Sequence, residues 1–188
     1  ALYNAWVDRV PLMMFAGNGI DATTRRPGVE TIHSAIDPAA LVREFVKWDD
    51  QPASLQHFAE STVRAHRITM TSPMEPVMIS IDMDLQEEEI AHPEKLRIPK
   101  VTRVSQPQGD TAALREAAKL LVAAEHPLII ADRAVRSSQG LKLMIELAEA
   151  LGSPVIDNGW RTNFPNTHDL DVSFLRQTMV READAILL

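Results

Sequence analysis

Residues 127–157 read PLIIADRAVRSSQGLKLMIELAEALGSPVID, and this stretch decides the fold. PLIIA (127–131) is a short apolar run opened by a proline, the signature of a strand buried on both faces. Residues 137–151 are predicted as a helix that stops at Gly152, a residue suited to the left-handed position just past a helix end. PVID (154–157) returns to strand. Downstream, 172–183 is predicted helix and 185–188 strand. Upstream, Asp110 or Thr111 caps a helix running to residue 124, with Leu114, Ala117, Ala118, Leu121 and Val122 as its apolar stripe. Strand, helix, strand, helix, strand is the alternation of a parallel α/β sheet, here Rossmann-like.

The first half repeats the theme less regularly. VPLMMFA (10–16) is predicted as a buried strand, with Met13 and Met14 as core packing. Residues 17–28 are a loop carrying Gly17, Gly19, Pro27 and Gly28. Residues 38–46 are predicted as a short helix, with Asp37 as N-cap and Pro38 in its first turn. A clearer helix covers 52–66, where Leu55, Phe58, Ala59, Thr62 and Val63 share a stripe. PVMISIDM (76–83) is strand. Residues 86–108 are polar, hold Glu87, Glu88 and Glu89, and are broken by Pro93, Pro99 and Pro107. Two successive three-layer α/β units with parallel sheets are therefore expected, over 1–88 and 109–188, with a linker at 89–108.

Composition narrows the function classes. At 188 residues and 45% hydrophobic, the chain can build a core. With 26 acidic against 19 basic residues, its net charge of -7 argues against binding nucleic-acid phosphates. No cysteine means no disulfide, thiol nucleophile or thiolate metal site. No apolar run approaches the roughly 20 residues that span a bilayer, and the first residues lack a signal-peptide pattern, so a cytoplasmic protein without membrane partners is expected. The chain starts without Met and finishes on ADAILL (183–188), which suggests a piece of a longer protein.

Few motifs carry chemistry. Gly17-Asn18-Gly19-Ile20-Asp21-Ala22 spells G-x-G-x-x-A after a strand, but no helical period follows it, as a dinucleotide fingerprint requires. It reads instead as a glycine-rich loop at a strand's carboxyl end, where open α/β sheets place ligand crevices. Arg25 and Arg26, and the Glu87–Glu89 run, read as solvated charges. Among six histidines, His57 and His66 fall on opposite helix faces, and His57 with Glu60 reads as a solvated i,i+3 pair. His92, His126 and His168 read as surface residues. His33 stands apart, between the loop after the first strand and a capped helix. No G-x-S-x-G elbow or Walker loop is present.

Several stretches in order resemble one family. ALYNAWVDRVPLMMFAG (1–17), the helix from Pro52, Thr71-x-Pro73-x-x-Pro76-Val77 and IDMDLQ (81–86) resemble the second half of the pyrimidine-binding domain of thiamine-diphosphate-dependent enzymes. PLIIAD, GLKLMIELAEALGSPVID, NFPNTH and EADAILL resemble the central domain of the same enzymes, with acetolactate-synthase-like large subunits nearest. The resemblance implies an enzyme, a lyase or transferase, acting on a 2-keto acid by decarboxylation or carboligation. It implies thiamine diphosphate and magnesium in the intact protein, and a homodimer or homotetramer. It also implies that the activating glutamate precedes Ala1 and the Gly-Asp-Gly…Asn metal motif follows Leu188, so that this chain alone is inert and holds no metal. His33 and Ser34 match positions that face the substrate channel. Ala131-Asp132-Arg133 stands where flavin- or ADP-binding relatives carry a glycine-rich turn, which argues against FAD. An NAD- or FAD-binding Rossmann-like module, and a non-catalytic dimerisation scaffold, remain the alternative readings.

Overall fold

Pairing decides where the strands of the first half begin and end. The computed structural model describes residues 1–20, 34–105, 107–159 and 161–188. They form two compact units, Ala1–Pro107 and Gln108–Leu188. In the first, helix α1 spans Leu2–Val7 and strand β1 Met13–Asn18. Two 3-10 turns follow, at Pro38–Leu41 and Arg43–Phe45. Strand β2 is Trp48–Asp50, helix α2 Leu55–Met70, strand β3 Val77–Asp82 and helix α3 Met83–Glu87. The sheet order is β1-β3-β2, all parallel.

β1 starts later than the sequence predicts, because Pro11 has no N–H to give a ladder, and pairing begins at Met13 opposite Val77. It also runs two residues further, since β3 continues through Asp82 and carries Gly17 and Asn18 with it. β2 escaped prediction, its two aspartates reading as loop, yet it pairs with Val77–Ile79. The single helix predicted over 38–46 is replaced by the two 3-10 turns. Asp37 does cap the first, accepting from Ala40 N at 3.1 Å. Arg43 then clamps Asp37 (2.8 and 2.9 Å) and Asp49 (3.1 Å). Leu41 is 81% exposed, so no apolar face packs to sustain a full helix. Phe45 instead packs edge-on against Tyr3 and Trp6 of α1, a helix not anticipated.

α2 begins at the Ser54 cap, whose Oγ accepts from His57 N at 3.1 Å, and extends to Met70. Its buried row is Ser61, Ala65 and Thr69, four residues apart, rather than the larger apolar stripe predicted. Ala65 is fully buried with Val77 and Ile79, and Phe58 and Ile68 pack against that cluster. A methyl-sized contact lets the helix lie close on the sheet.

In the second unit, helix α4 is Thr111–Ala123, strand β4 Pro127–Ala131, helix α5 Ser138–Leu151 and strand β5 Val155–Asp157. A 3-10 turn at Ser173–Leu175 leads to helix α6, Arg176–Glu182, and strand β6, Ala185–Leu187. The order is β5-β4-β6, again all parallel. Asp110 caps α4 through Ala113 N (2.8 Å), Ser137 caps α5 through Gly140 N (3.0 Å), and Gly152 ends α5 at φ 59. The core joins Ile129, Ala131, Ala148, Val155 and Phe164. Of the stripe predicted on α4 only Leu121 is buried; Leu114 and Val122 are exposed. The helix predicted over 172–183 is shortened because Ser173 bonds Asp171 and Asp157 with its own side chain, which competes with helical bonding. Both units are α/β with parallel sheets.

Candidate functional site

The carboxyl ends of β1 and β3 meet in a buried polar cluster. Asn18 and Asp82 face each other in register and are 2% and 1% exposed. Asn18 Nδ2 donates to Asp82 Oδ1 at 2.9 Å, and Gln51, just past β2, donates to the same oxygen at 2.9 Å. Asn18 also donates to Ala35 O (3.0 Å) and accepts from Ala35 N (3.1 Å). One amide side chain thus takes the place of a backbone pair and fastens Ala35 to the end of β1. At Gly17 an added Cβ would come within 3.1 Å of Gln86, whose amide donates to Ile81 O at 2.7 Å. Buried polar groups are expensive unless bonded, so a strand end this polar implies a surface built for more than packing. Pattern reading missed Asp82 and Gln51; an aspartate closing the apolar run VMISID was the available signal.

His33, singled out from the sequence, lies outside the described residues, as do Arg25, Arg26, Pro27 and Gly28. Ser34 is described and half-buried, next to the pinned Ala35. His57 does not pair with Glu60, which Gln56 takes at 2.7 Å. It turns to Asp50, with Nε2 at 3.1 Å from Oδ2, while its Nδ1 accepts from Ala53 N at 3.3 Å. That bonding assigns the neutral ring's proton to Nε2. Ser61 Oγ also donates to Asp50 Oδ2. Because the carboxylate lies between hydroxyl and imidazole, the imidazole cannot draw the serine proton, and the trio braces β2 against α2. His168 is not a plain surface residue: it packs edge-on against Phe164, with ring centroids 5.0 Å apart.

At the corresponding end of the second sheet, Asp157 closes β5. Its carboxylate accepts from Asn163 N (2.8 Å), Asn163 Nδ2 (2.9 Å), Gly159 N (2.9 Å) and Phe164 N (3.2 Å). Burial pushes this carboxyl up, but those bonds outweigh it and hold it below the usual aspartate value. Among the described residues, no three His, Asp or Glu side chains come together as a metal site, and no helix is long and apolar enough to cross a membrane.

Two parallel-sheet units with polar clusters at their strand carboxyl ends define the class: an α/β protein of the kind that presents ligand crevices at those ends. Residues 114–188 match the family model described as "Thiamine pyrophosphate enzyme, central domain". Benzoylformate decarboxylase of Pseudomonas aeruginosa is 29% identical over 171 residues, covering 89% of this chain and 31% of that one. Glyoxylate carboligase of Escherichia coli O157:H7 is 25% identical over 191 residues, covering 100% of this chain and 31% of that one. The crystal structure of benzoylformate decarboxylase from Polynucleobacter necessarius matches with a TM-score of 0.77 at 28% identity, covering 98% of this chain and 35% of that one. The chain is thus similar to thiamine pyrophosphate enzymes across both units, and its residues 114–188 match that family's central domain. It spans about a third of the length of the curated relatives it matches.

Proposed function

We propose that the protein to which these residues belong is a thiamine-diphosphate-dependent enzyme that decarboxylates a 2-keto acid or ligates the product to a second carbonyl compound. The observation that carries this reading is the extent of the likeness: the decarboxylase and carboligase relatives match across both units, beyond residues 114–188 alone. Residues 1–88 are assigned to the second half of the pyrimidine-binding domain, 89–108 to the linker and 109–188 to the first part of the central domain. When bound, thiamine diphosphate supplies the nucleophile and the electron sink for carbon–carbon cleavage. We assign no residue of this chain to its diphosphate or to magnesium. The intact enzyme is read as a cytoplasmic homodimer or homotetramer.

Within this chain, the contribution nearest the chemistry falls to the residues at the β1 and β3 ends and those next to Ala35 in the sequence. Asn18 fixes Ala35, and His33 precedes Ala35 by two residues. An imidazole two residues ahead of Ala35 in the sequence suits a hydrogen bond to the keto acid's carboxylate or a proton relay near neutral pH. The test is steady-state release of carbon dioxide from a panel of 2-keto acids, benzoylformate and glyoxylate among them, by the natural protein and its His33→Ala variant. His33→Ala is expected to lower kcat/KM by roughly 10- to 1,000-fold, about 1.4–4 kcal/mol of barrier, with melting temperature nearly unchanged. Turnover within about twofold of the parent removes His33 from the site.

A further inference from the structure

In a Rossmann-like unit, a nucleotide's diphosphate rests where a strand turns into its helix, on backbone N–H groups left open by glycine-rich turns. In the second unit that turn lies between β4 and α5, and three of the backbone N–H groups there are already taken by side chains. Asn163 Oδ1 accepts from Ala134 N at 3.0 Å and from Val135 N at 3.4 Å. Ser137 Oγ accepts from Gly140 N at 3.0 Å. Asp132 and Arg133 form an ion pair at 2.7 Å. Arg133 holds φ 51, a backbone conformation that favours glycine, and so carries a side chain at a turn where close backbone approach of a diphosphate wants none.

Asn163 itself is fully buried and held from behind. Its Nδ2 donates to Asp157 Oδ1 (2.9 Å) and Arg161 O (3.0 Å), and its backbone N to Asp157 Oδ2 (2.8 Å). Flipping the amide would set its nitrogen against two N–H groups and its oxygen against a carboxylate, so the orientation is fixed by its partners. We infer that Asn163 is an internal stand-in for a phosphate oxygen: its side chain closes the nucleotide crevice of this unit. The unit therefore takes neither flavin nor ADP, and its β4–α5 turn serves as a structural tie to the loop after β5. The residues present do not fit a flavin diphosphate.

Residue-resolved amide exchange on the natural protein that contains these residues tests this. Ala134 and Val135 amides are expected to exchange slowly, and neither ADP nor FAD, at up to about millimolar concentration, should change their rates or give saturable binding. In Asn163→Ala the same two amides should exchange at least roughly tenfold faster, while those of β4 stay protected. Rapid exchange of both amides in the parent protein overturns the inference. So does saturable ADP or FAD binding by the parent, or unchanged protection in a folded Asn163→Ala variant. If that variant does not fold, the two measurements on the parent decide the matter.

Discussion

At the scale of single residues, the second unit leans on one carboxylate. Asp157 gathers four donors from three residues, and its pKa is held below the usual value despite burial. A lowered folded pKa means the unfolded state binds the proton more readily. The stabilisation is therefore complete at neutral pH and is lost as pH falls through the folded pKa, below roughly pH 4. Asp157→Asn keeps the shape but presents one acceptor oxygen, leaving donors facing an NH2 group. We expect it to lose about 2–3 kcal/mol at pH 7 in urea unfolding, with a smaller further loss on acidification than the parent shows. Equal stability of the two proteins at pH 7 would contradict that role. Asp184 makes a similar tie, accepting from Glu125 N (2.8 Å) and His126 N (2.9 Å), and those bonds likewise lower its pKa. It is exposed and screened, so its contribution is smaller.

At the scale of elements, both units seat a helix on a sheet through a buried alanine: Ala65 of α2 on β3, and Ala148 of α5 in the cluster with Ile129 and Val155. Ala65→Leu or Ala148→Leu forces the layers apart and should each cost about 1–3 kcal/mol by chemical denaturation; a neutral result would mean the helices lie more loosely. This detail also marks how far the sequence could be read. β4, α5 and β5 were legible because an apolar run, a serine cap and Gly152 all point to the same elements. Residues 38–46 carry a helical cap and spacing too, yet Arg43's tie to Asp37 and Asp49 holds them in 3-10 turns. Trp48–Asp50 is a strand because β3 offers it an edge, a tertiary fact that two aspartates conceal. The buried Asn18–Asp82 pair was hidden for the same reason, since 64 residues separate partners that only the parallel register joins. Glycine at position 17 was read from sequence as loop, whereas its place is in the strand beside Gln86.

At the scale of the molecule, the division falls at Pro107 and Gln108. Part of the proline-rich stretch lies on the first unit, because the Gln56 side chain exchanges hydrogen bonds with both backbone groups of Arg97, each at 2.9 Å. Limited trypsinolysis should cut first at Lys100 or Arg103, beyond that clamp, and leave α5 intact; first cleavage within α5 would refute the boundary. The proposed function makes a stronger demand. Titration calorimetry with thiamine diphosphate and magnesium should give saturable binding to the natural protein and none to the 188-residue chain alone, since none of its residues is assigned to the diphosphate or the metal. Absence of binding by the natural protein would contradict a thiamine-diphosphate enzyme, and saturable binding by the chain alone would contradict the division of the site proposed for it.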